Sequence, residues 1–215
     1  MEKVVHKSYD IYLVGVGGQG VLTIAEIITE AAFHQGIPVN YYPTEGMAQR
    51  GGFVKAQVRL GRLFTGPNLP EKGADLVIAM EISESLKAVR FSKPGSDFLL
   101  WSHIWAPTAV MLGKAGYPTL DVVKEQVLIA QASLYLLSPD NLPYYQDELA
   151  PDNLFVLGAA VQNTSLQTIF DLAMLEKAIR TRWPKSADRN LFALQSGAEA
   201  EIESVPADPQ QILHP

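Results

Sequence analysis

The chain has 215 residues, enough for one domain with a sizeable core. Its 17 basic and 23 acidic side chains leave a formal charge of -6, which argues against a nucleic-acid partner, because phosphate binding needs a clustered basic face. It contains no cysteine, which excludes a disulfide framework and a thiolate-held iron–sulfur cluster in this chain, and it has no uncharged apolar run long enough to span a bilayer.

The opening segment "MEKVVHKSYD" is polar and unlike a signal peptide, so a cytoplasmic protein is expected. "DIYLVGV" then forms a continuous apolar run, the pattern of a strand covered on both faces. Residues 19–35 carry Val21, Ile24, Ile28, Ala31 and Ala32 at helical spacing, and Gly36 and Pro38 stop that helix. "IPVNYY" is the second strand. "GFVKAQVRLG" alternates polar and apolar residues, which predicts a half-buried strand nearer a sheet edge. "ADLVIAM" and "SDFLLWS" are further buried strands.

The stretch 107–118 is irregular, and "TLDVVKEQVLIA" follows as a helix with Thr119 as its N-cap. "SLYLLSPD" is a strand that ends in a turn. Residues 152–170 form a buried helix, and "DLAMLEKAIRTRW" forms an amphipathic one with Asp171 at its start and basic residues at its end. "RNLFALQSG" is a last short helix, closed by Gly197. The acidic, proline-containing tail 198–215 is expected to be flexible or to lie along a partner. Strands alternating with helices predict an α/β fold: a three-layer sandwich around a largely parallel, Rossmann-like twisted sheet, with residues 1–197 as a single domain.

The chemistry concentrates in "YLVGVGGQGVLTIAEII", where Gly15, Gly17 and Gly20 satisfy G-x-G-x-x-G between a strand and a helix. Such a turn leaves helix N-terminal amides facing outward, where they can cradle an anion. Dinucleotide binding further requires an acid at the end of the second strand to hold the ribose. That strand ends "VNYYPTEG", with Asn40, Tyr41 and Tyr42 where the acid belongs. Three uses of the turn stay open: an NAD or FAD site in a stand-alone oxidoreductase, a non-catalytic module for a phosphate ligand, and a crossover that binds nothing.

A second glycine loop, "EGMAQRGG", sits between two strands. It places Gln49, Arg50, Gly51 and Gly52 on the rim that the loop after the first strand shares, where Arg50 can fork onto a carboxylate or phosphate. "SHIWAP" sets Trp101, His103 and Trp105 on alternate positions. Aromatic packing at a strand end is the first reading, an aromatic wall toward substrate or partner the second. "RTRWPK" gathers Arg180, Arg182 and Lys185 around Trp183. It reads as a solvated helix end before it reads as a phosphate site. His6, His34, His103 and His214 are scattered without metal spacing, and no metal site is predicted.

"GVGGQGVLTIAEII" followed by "EGMAQRGGFVKAQVRLG" resembles the gamma subunit, or gamma domain, of the 2-oxoacid:ferredoxin oxidoreductases. The wording "GMAQRGG" is most similar to the small subunit of the indolepyruvate type. "GADLVIAME", "FVLGAAVQN" and "NLFALQSG" extend the resemblance over about residues 9–197, while the helix at 119–130 and the strand after it match loosely. The resemblance implies an accessory subunit in the oxidative decarboxylation of a 2-oxoacid to acyl-CoA.

Thiamine diphosphate, magnesium and iron–sulfur clusters would then be held by a larger partner subunit, which would pass electrons to ferredoxin, with CoA as acyl acceptor. This chain alone would bind no cofactor, and its catalytic residues stay unassigned. Gly15, Gly17, Gly18, Gln19 and Gly20 would form one loop facing that partner or CoA, and Gln49, Arg50, Gly51 and Gly52 the other. Neither nucleic acid nor membrane is implied, and a homodimer of the isolated chain stays open.

Overall fold

The computed structural model describes residues 7–43, 52–106, 108–114 and 116–207. Nine strands and seven α-helices are assigned among them. In chain order the first half runs β1 (Tyr9–Val16), α1 (Val21–His34), β2 (Val39–Pro43), β3 (Phe53–Leu60), β4 (Ala74–Ala79), α2 (Ile82–Ala88) and β5 (Ser92–Trp101). The second half runs α3 (Thr108–Met111), α4 (Leu120–Ile129), β6 (Ser133–Leu137), β7 (Tyr144–Tyr145), β8 (Glu148–Leu149), α5 (Asp152–Asn163), α6 (Leu172–Arg182), α7 (Ala187–Ala198) and β9 (Glu203–Val205).

Seven strands form one mixed sheet in the order β2-β3-β1-β4-β5-β6-β9, and β7 pairs with β8 in a small hairpin. The pairs β1–β4, β4–β5 and β5–β6 are parallel, whereas β3 is antiparallel to both β1 and β2. β1 and β2 therefore point the same way and end on one rim. As the alternating pattern predicts, β3 lies one strand in from the edge.

The central strands are apolar on both faces because both faces are covered. Along β1, Ile11 and Leu13 enter one core while Tyr12 and Val14 enter the other. β4 and β5 divide in the same manner, Leu76, Ile78, Leu99 and Trp101 against Val77, Ala79, Phe98 and Leu100. Helices α1, α5, α6 and α7 contribute to the first core, α2 and α4 to the second. The result is the expected three-layer sandwich. The chain passes from β1 to β2 through α1 on one face, and from β4 through β5 to β6 by way of α2 and α4 on the other. Its direction of winding thus changes between β1 and β4, the position where open α/β sheets leave a crevice at the strand carboxyl ends.

Several elements differ from the sequence expectation. The predicted helix over 152–170 divides at Thr164, whose hydroxyl accepts the Leu166 amide at 3.3 Å and starts a separate short 3-10 turn. Gly197 does not close the last helix, which continues to Ala198. Its role is packing: a Cβ there would lie 1.9 Å from the Phe155 carbonyl oxygen, and one at Gly158 would lie 1.9 Å from that of Leu194. The two glycines let the α5 and α7 backbones touch. Part of the tail lies along this chain itself, since β9 pairs antiparallel with β6, Tyr135 opposite Ser204.

Candidate functional site

The turn after β1 is held by hydrogen bonds the glycine spacing does not reveal. Gln19 is only 2% exposed. Its Oε1 accepts from the Val16 amide at 2.8 Å, and its Nε2 donates to the Met80 carbonyl at 2.7 Å. Grouped by sequence with the ligand-facing loop, Gln19 instead spends its side chain inward, tying the end of β1 to the end of β4. Gly15 lies within β1, where a Cβ would come within 2.8 Å of Val21 Cγ2. The Gly17 amide donates to the Gly52 carbonyl at 2.8 Å, so the first described residue after segment 44–51 is bonded to the turn.

Gly18 and Gly20 have φ of 109° and 72°, the left-handed region that favours glycine. Gly20 caps α1 and is pressed against Asn153, whose Nδ2 would be 2.3 Å from a Cβ. Among the described residues, the atom that a Cβ at Gly18 would meet within 4 Å is Trp105 Cη2, at 3.6 Å. Outside the turn lies a hollow of about 290 Å³ lined by Val16, Gly17, Gly18, Gly20, Val21, Leu22 and Val54.

Gln49, Arg50 and Gly51 of the second loop fall outside the described residues. The strands on either side of the loop are described. Pro43 pairs with Ala56, and Phe53 pairs with Val16, so both ends of the segment are anchored at the rim that carries Gly17–Gly20. Gly52 is the member of that loop brought to the first one.

The far wall of the crevice is built on Glu81, immediately after β4. Its side chain is 0% exposed and accepts from the Glu84 amide at 2.9 Å and the Ser83 hydroxyl at 2.7 Å, capping α2. It also accepts from the Trp105 amide at 3.4 Å and from the Tyr117 hydroxyl. Burial first, and then this hydrogen bond, push the Tyr117 phenol well above its ordinary value. One buried carboxylate therefore holds the loop after β5 and the approach to α4. Sequence reasoning missed Glu81 because glutamate is not among the preferred N-caps.

"SHIWAP" divides between the two readings the pattern allows. Trp101 is 1% exposed and packs edge-on against Phe155, centroids 5.8 Å apart, as an ordinary core residue. Trp105 is 40% exposed and turned to the glycine turn. The His103 ring lies 6.2 Å from that of Trp105, and its buried Nδ1 has no hydrogen-bond partner among the described residues.

Asp152, in the first turn of α5, has its carboxyl pushed above the usual range by burial, against the opposing pull of the Asn153 amide and of His103. The basic cluster of "RTRWPK" does not converge: Arg182 is ion-paired with Glu26 and lies over the Trp183 ring, while Lys185 borders a separate hollow with Arg189. Among the described residues, no three His, Asp or Glu side chains are placed to hold a metal ion, and no helix is long and apolar enough to cross a membrane. The site offers an aromatic wall, an apolar floor and backbone groups, which suits binding and positioning.

Residues 10–200 match the model of the pyruvate ferredoxin/flavodoxin oxidoreductase family. The chain is 34% identical over 199 residues to the indolepyruvate oxidoreductase subunit IorB of Archaeoglobus fulgidus, covering 92% of this chain and 98% of that one. Its fold is similar to a pyruvate oxidoreductase subunit from Thermotoga maritima, with a TM-score of 0.66 at 19% identity over 93% of this chain and 99% of that one. It is also similar to part of the 2-oxoglutarate:ferredoxin oxidoreductase of Magnetococcus marinus, solved with 2-oxoglutarate, coenzyme A and succinyl-CoA bound. There the TM-score is 0.56 at 19% identity, covering 95% of this chain and 32% of the longer one. A family match over residues 10–200, similarity to an oxidoreductase subunit along nearly the whole of both chains, and a fold that recurs both as a separate subunit and as a third of a longer chain lead to one conclusion: this chain belongs to the pyruvate ferredoxin/flavodoxin oxidoreductase family, as a small, gamma-type subunit of a 2-oxoacid:ferredoxin oxidoreductase.

Proposed function

We propose that this chain serves the oxidative decarboxylation of an aryl 2-oxoacid such as indolepyruvate, in the cytoplasm, as the accessory half of a hetero-oligomer. The observation that carries the reading is its 34% identity to an indolepyruvate oxidoreductase subunit over 92% of this chain and 98% of that one. With no cysteine, this chain does not fit an iron–sulfur cluster. The described residues likewise do not fit magnesium and thiamine diphosphate, since they offer no clustered carboxylates at the rim. These groups belong to the larger partner, which delivers electrons to ferredoxin. The contribution of this chain is positional. Gly17, Gly18 and Gly20, with Gln49, Arg50, Gly51 and Gly52, form the surface presented to the partner or to CoA, and Gln19 and Glu81 fix that surface from below.

The test is a reconstitution. The chain is purified alone and with a larger thiamine- and iron–sulfur-bearing partner subunit, then assayed with indolepyruvate, CoA and a viologen acceptor. Turnover is expected only in the assembled enzyme, with pyruvate and 2-oxoglutarate as poorer substrates. Turnover by the lone chain, or an assembled enzyme that prefers an aliphatic 2-oxoacid, would defeat the reading.

A further inference from the structure

We propose that the outer side of α2 is a docking surface for an acidic segment of the larger partner subunit, held by Lys55, Lys72, Lys87 and Arg90. The inference rests on the small-subunit reading above and extends it to another face of the chain.

Two hollows flank this side of α2 and share Leu86 and Arg90. One, of about 400 Å³, lies between α2 and β3 and carries Lys55 and Lys87. The other, of about 380 Å³, reaches the end of α4 and carries Lys72. Lys55 stands opposite Val14 in the β1–β3 ladder, so it shares the sheet face against which α2 packs. The four cations therefore form one stripe. Acids outnumber bases 23 to 17 in the chain, yet among the described residues the lining of both hollows contains no acid. Buried Glu84 pairs with Lys87 at 2.6 Å, and Glu71 pairs with Arg90 at 3.7 Å. The second pair is long and exposed on both sides, so it holds Arg90 weakly and gives it up to another carboxylate at little cost.

Apolar surface between the cations decides the class of occupant. The Lys87 Nζ stands over the half-exposed Phe53 ring, 4.9 Å from its centroid, and Arg90 lies over Phe91. Val89 and the exposed Ile129 line the second hollow. A bare anion gains nothing from such surface. A protein segment that mixes acidic and apolar side chains uses all of it, with carboxylates on the cations and apolar groups in the hollows. Position selects the larger subunit as the source of that segment. Phe53, which opens the stripe, is the first residue of β3 and follows Gly52, whose carbonyl accepts the Gly17 amide. The stripe thus begins where the rim presented to the partner ends.

The experiment measures the rate at which the small subunit associates with the larger thiamine- and iron–sulfur-bearing subunit, at low and at high salt, after thermal melts establish that each variant folds. Arg90→Glu and Lys72→Glu, singly and together, are compared with Lys185→Glu, which makes the same charge change at an exposed position bordering a separate hollow. The double variant is expected to associate about tenfold more slowly at low salt, with the deficit shrinking at high salt, while Lys185→Glu associates as the wild type does. Arg90→Gln should show a smaller loss of the same kind, and it replaces the reversals if they unfold the chain. Because the chain has no cysteine, Ile129→Cys gives it a single thiol within the stripe, and alkylation of that thiol should slow on assembly. Unchanged association, or alkylation that assembly does not slow, would overturn the proposal. An equal loss in Lys185→Glu would overturn it too, by showing net charge alone at work. Normal assembly of the variants, with a raised KM for ferredoxin and not for viologen, would give the stripe to the electron carrier and reject the larger subunit as its occupant. A wild-type enzyme that assembles but prefers an aliphatic 2-oxoacid would instead defeat the functional reading and leave these association rates standing.

Discussion

At the scale of single residues, Gly18 and Gly20 look interchangeable in the sequence and are not interchangeable in the fold. Both need a left-handed backbone, so an L side chain at either is strained by about 1–2 kcal/mol. At Gly20 the new Cβ also meets Asn153 from its Cβ outward, at 2.9 to 2.3 Å, and the start of α5 must move. Gly20→Ala should therefore cost about 3 kcal/mol and lower Tm by roughly 6–12 °C, whereas Gly18→Ala should cost about 1 kcal/mol. Equal melting curves for the two variants would contradict this geometry. Asp152 carries a pH dependence whose sign is fixed by its raised folded pKa. The native state holds that proton better than the unfolded chain, so the contribution to stability is full below the usual carboxylate range. It is lost as pH rises through the folded value. Asp152→Asn removes the titration while keeping an oxygen for the Asn153 amide, which the carboxylate now accepts at 2.8 Å. We expect the variant to melt higher than wild type at neutral pH, with the gain shrinking toward zero as pH falls toward about 4. A gain that grew on acidification would reverse the assignment.

At the scale of elements, the strands and long helices were readable because period and burial agree. α1 stops at Gly36 as its sequence indicates, and Thr119 and Asp171 cap α4 and α6 through the Val122 and Met174 amides. What the sequence concealed depends on tertiary contact. The seven-residue α2 is too short to display a helical period and is started by a glutamate cap. β9 is three residues of acidic tail that become a strand only because β6 would otherwise be an open edge. That edge is fastened at several points. Asn141 Nδ2 donates to the Glu201 carbonyl at 2.9 Å, Lys124 pairs with Glu203 at 2.9 Å, and the Ala207 amide donates to Ser133 Oγ at 3.2 Å. The exposed ion pair contributes little, so most of the attachment is backbone pairing. Ending the chain at Glu199 should lower Tm by several degrees, corresponding to about 1–3 kcal/mol, and bare the β6 edge. Light scattering should then show new self-association at concentrations where the full chain has none. A truncated chain with unchanged Tm and unchanged mass would mean that β9 contributes nothing to the sheet.

At the scale of the whole molecule, the order of strands decides what the glycine fingerprint can do. The missing acid after β2 was visible in the sequence. The stronger obstacle was not, because strand order arises from pairing across the whole sheet and leaves no local pattern. A dinucleotide fold needs a parallel strand beside β1, whose carboxyl end carries the acid that binds the ribose next to the glycine turn. Here antiparallel β3 fills that place and β2 is displaced to the edge. What adjoins the turn is the amino end of β3, Phe53 and Val54, which offers no acceptor to a ribose. Two side chains of β2 are engaged elsewhere: Asn40 donates to the Arg62 carbonyl at 2.8 Å and Tyr42 to that of Thr65 at 2.5 Å. Placing an aspartate in β2 would not remedy this, since the whole of β3 separates it from the turn. NAD should accordingly bind the isolated chain with a Kd no tighter than about 1 mM, equivalent to roughly 4 kcal/mol, and Tyr42→Asp should leave that limit unchanged. Calorimetry is the direct measurement. Micromolar binding to the wild type, or a gain of more than about tenfold from Tyr42→Asp, would mean that a ribose reaches an acid across β3, and the assignment of this rim to the partner or CoA would have to be abandoned.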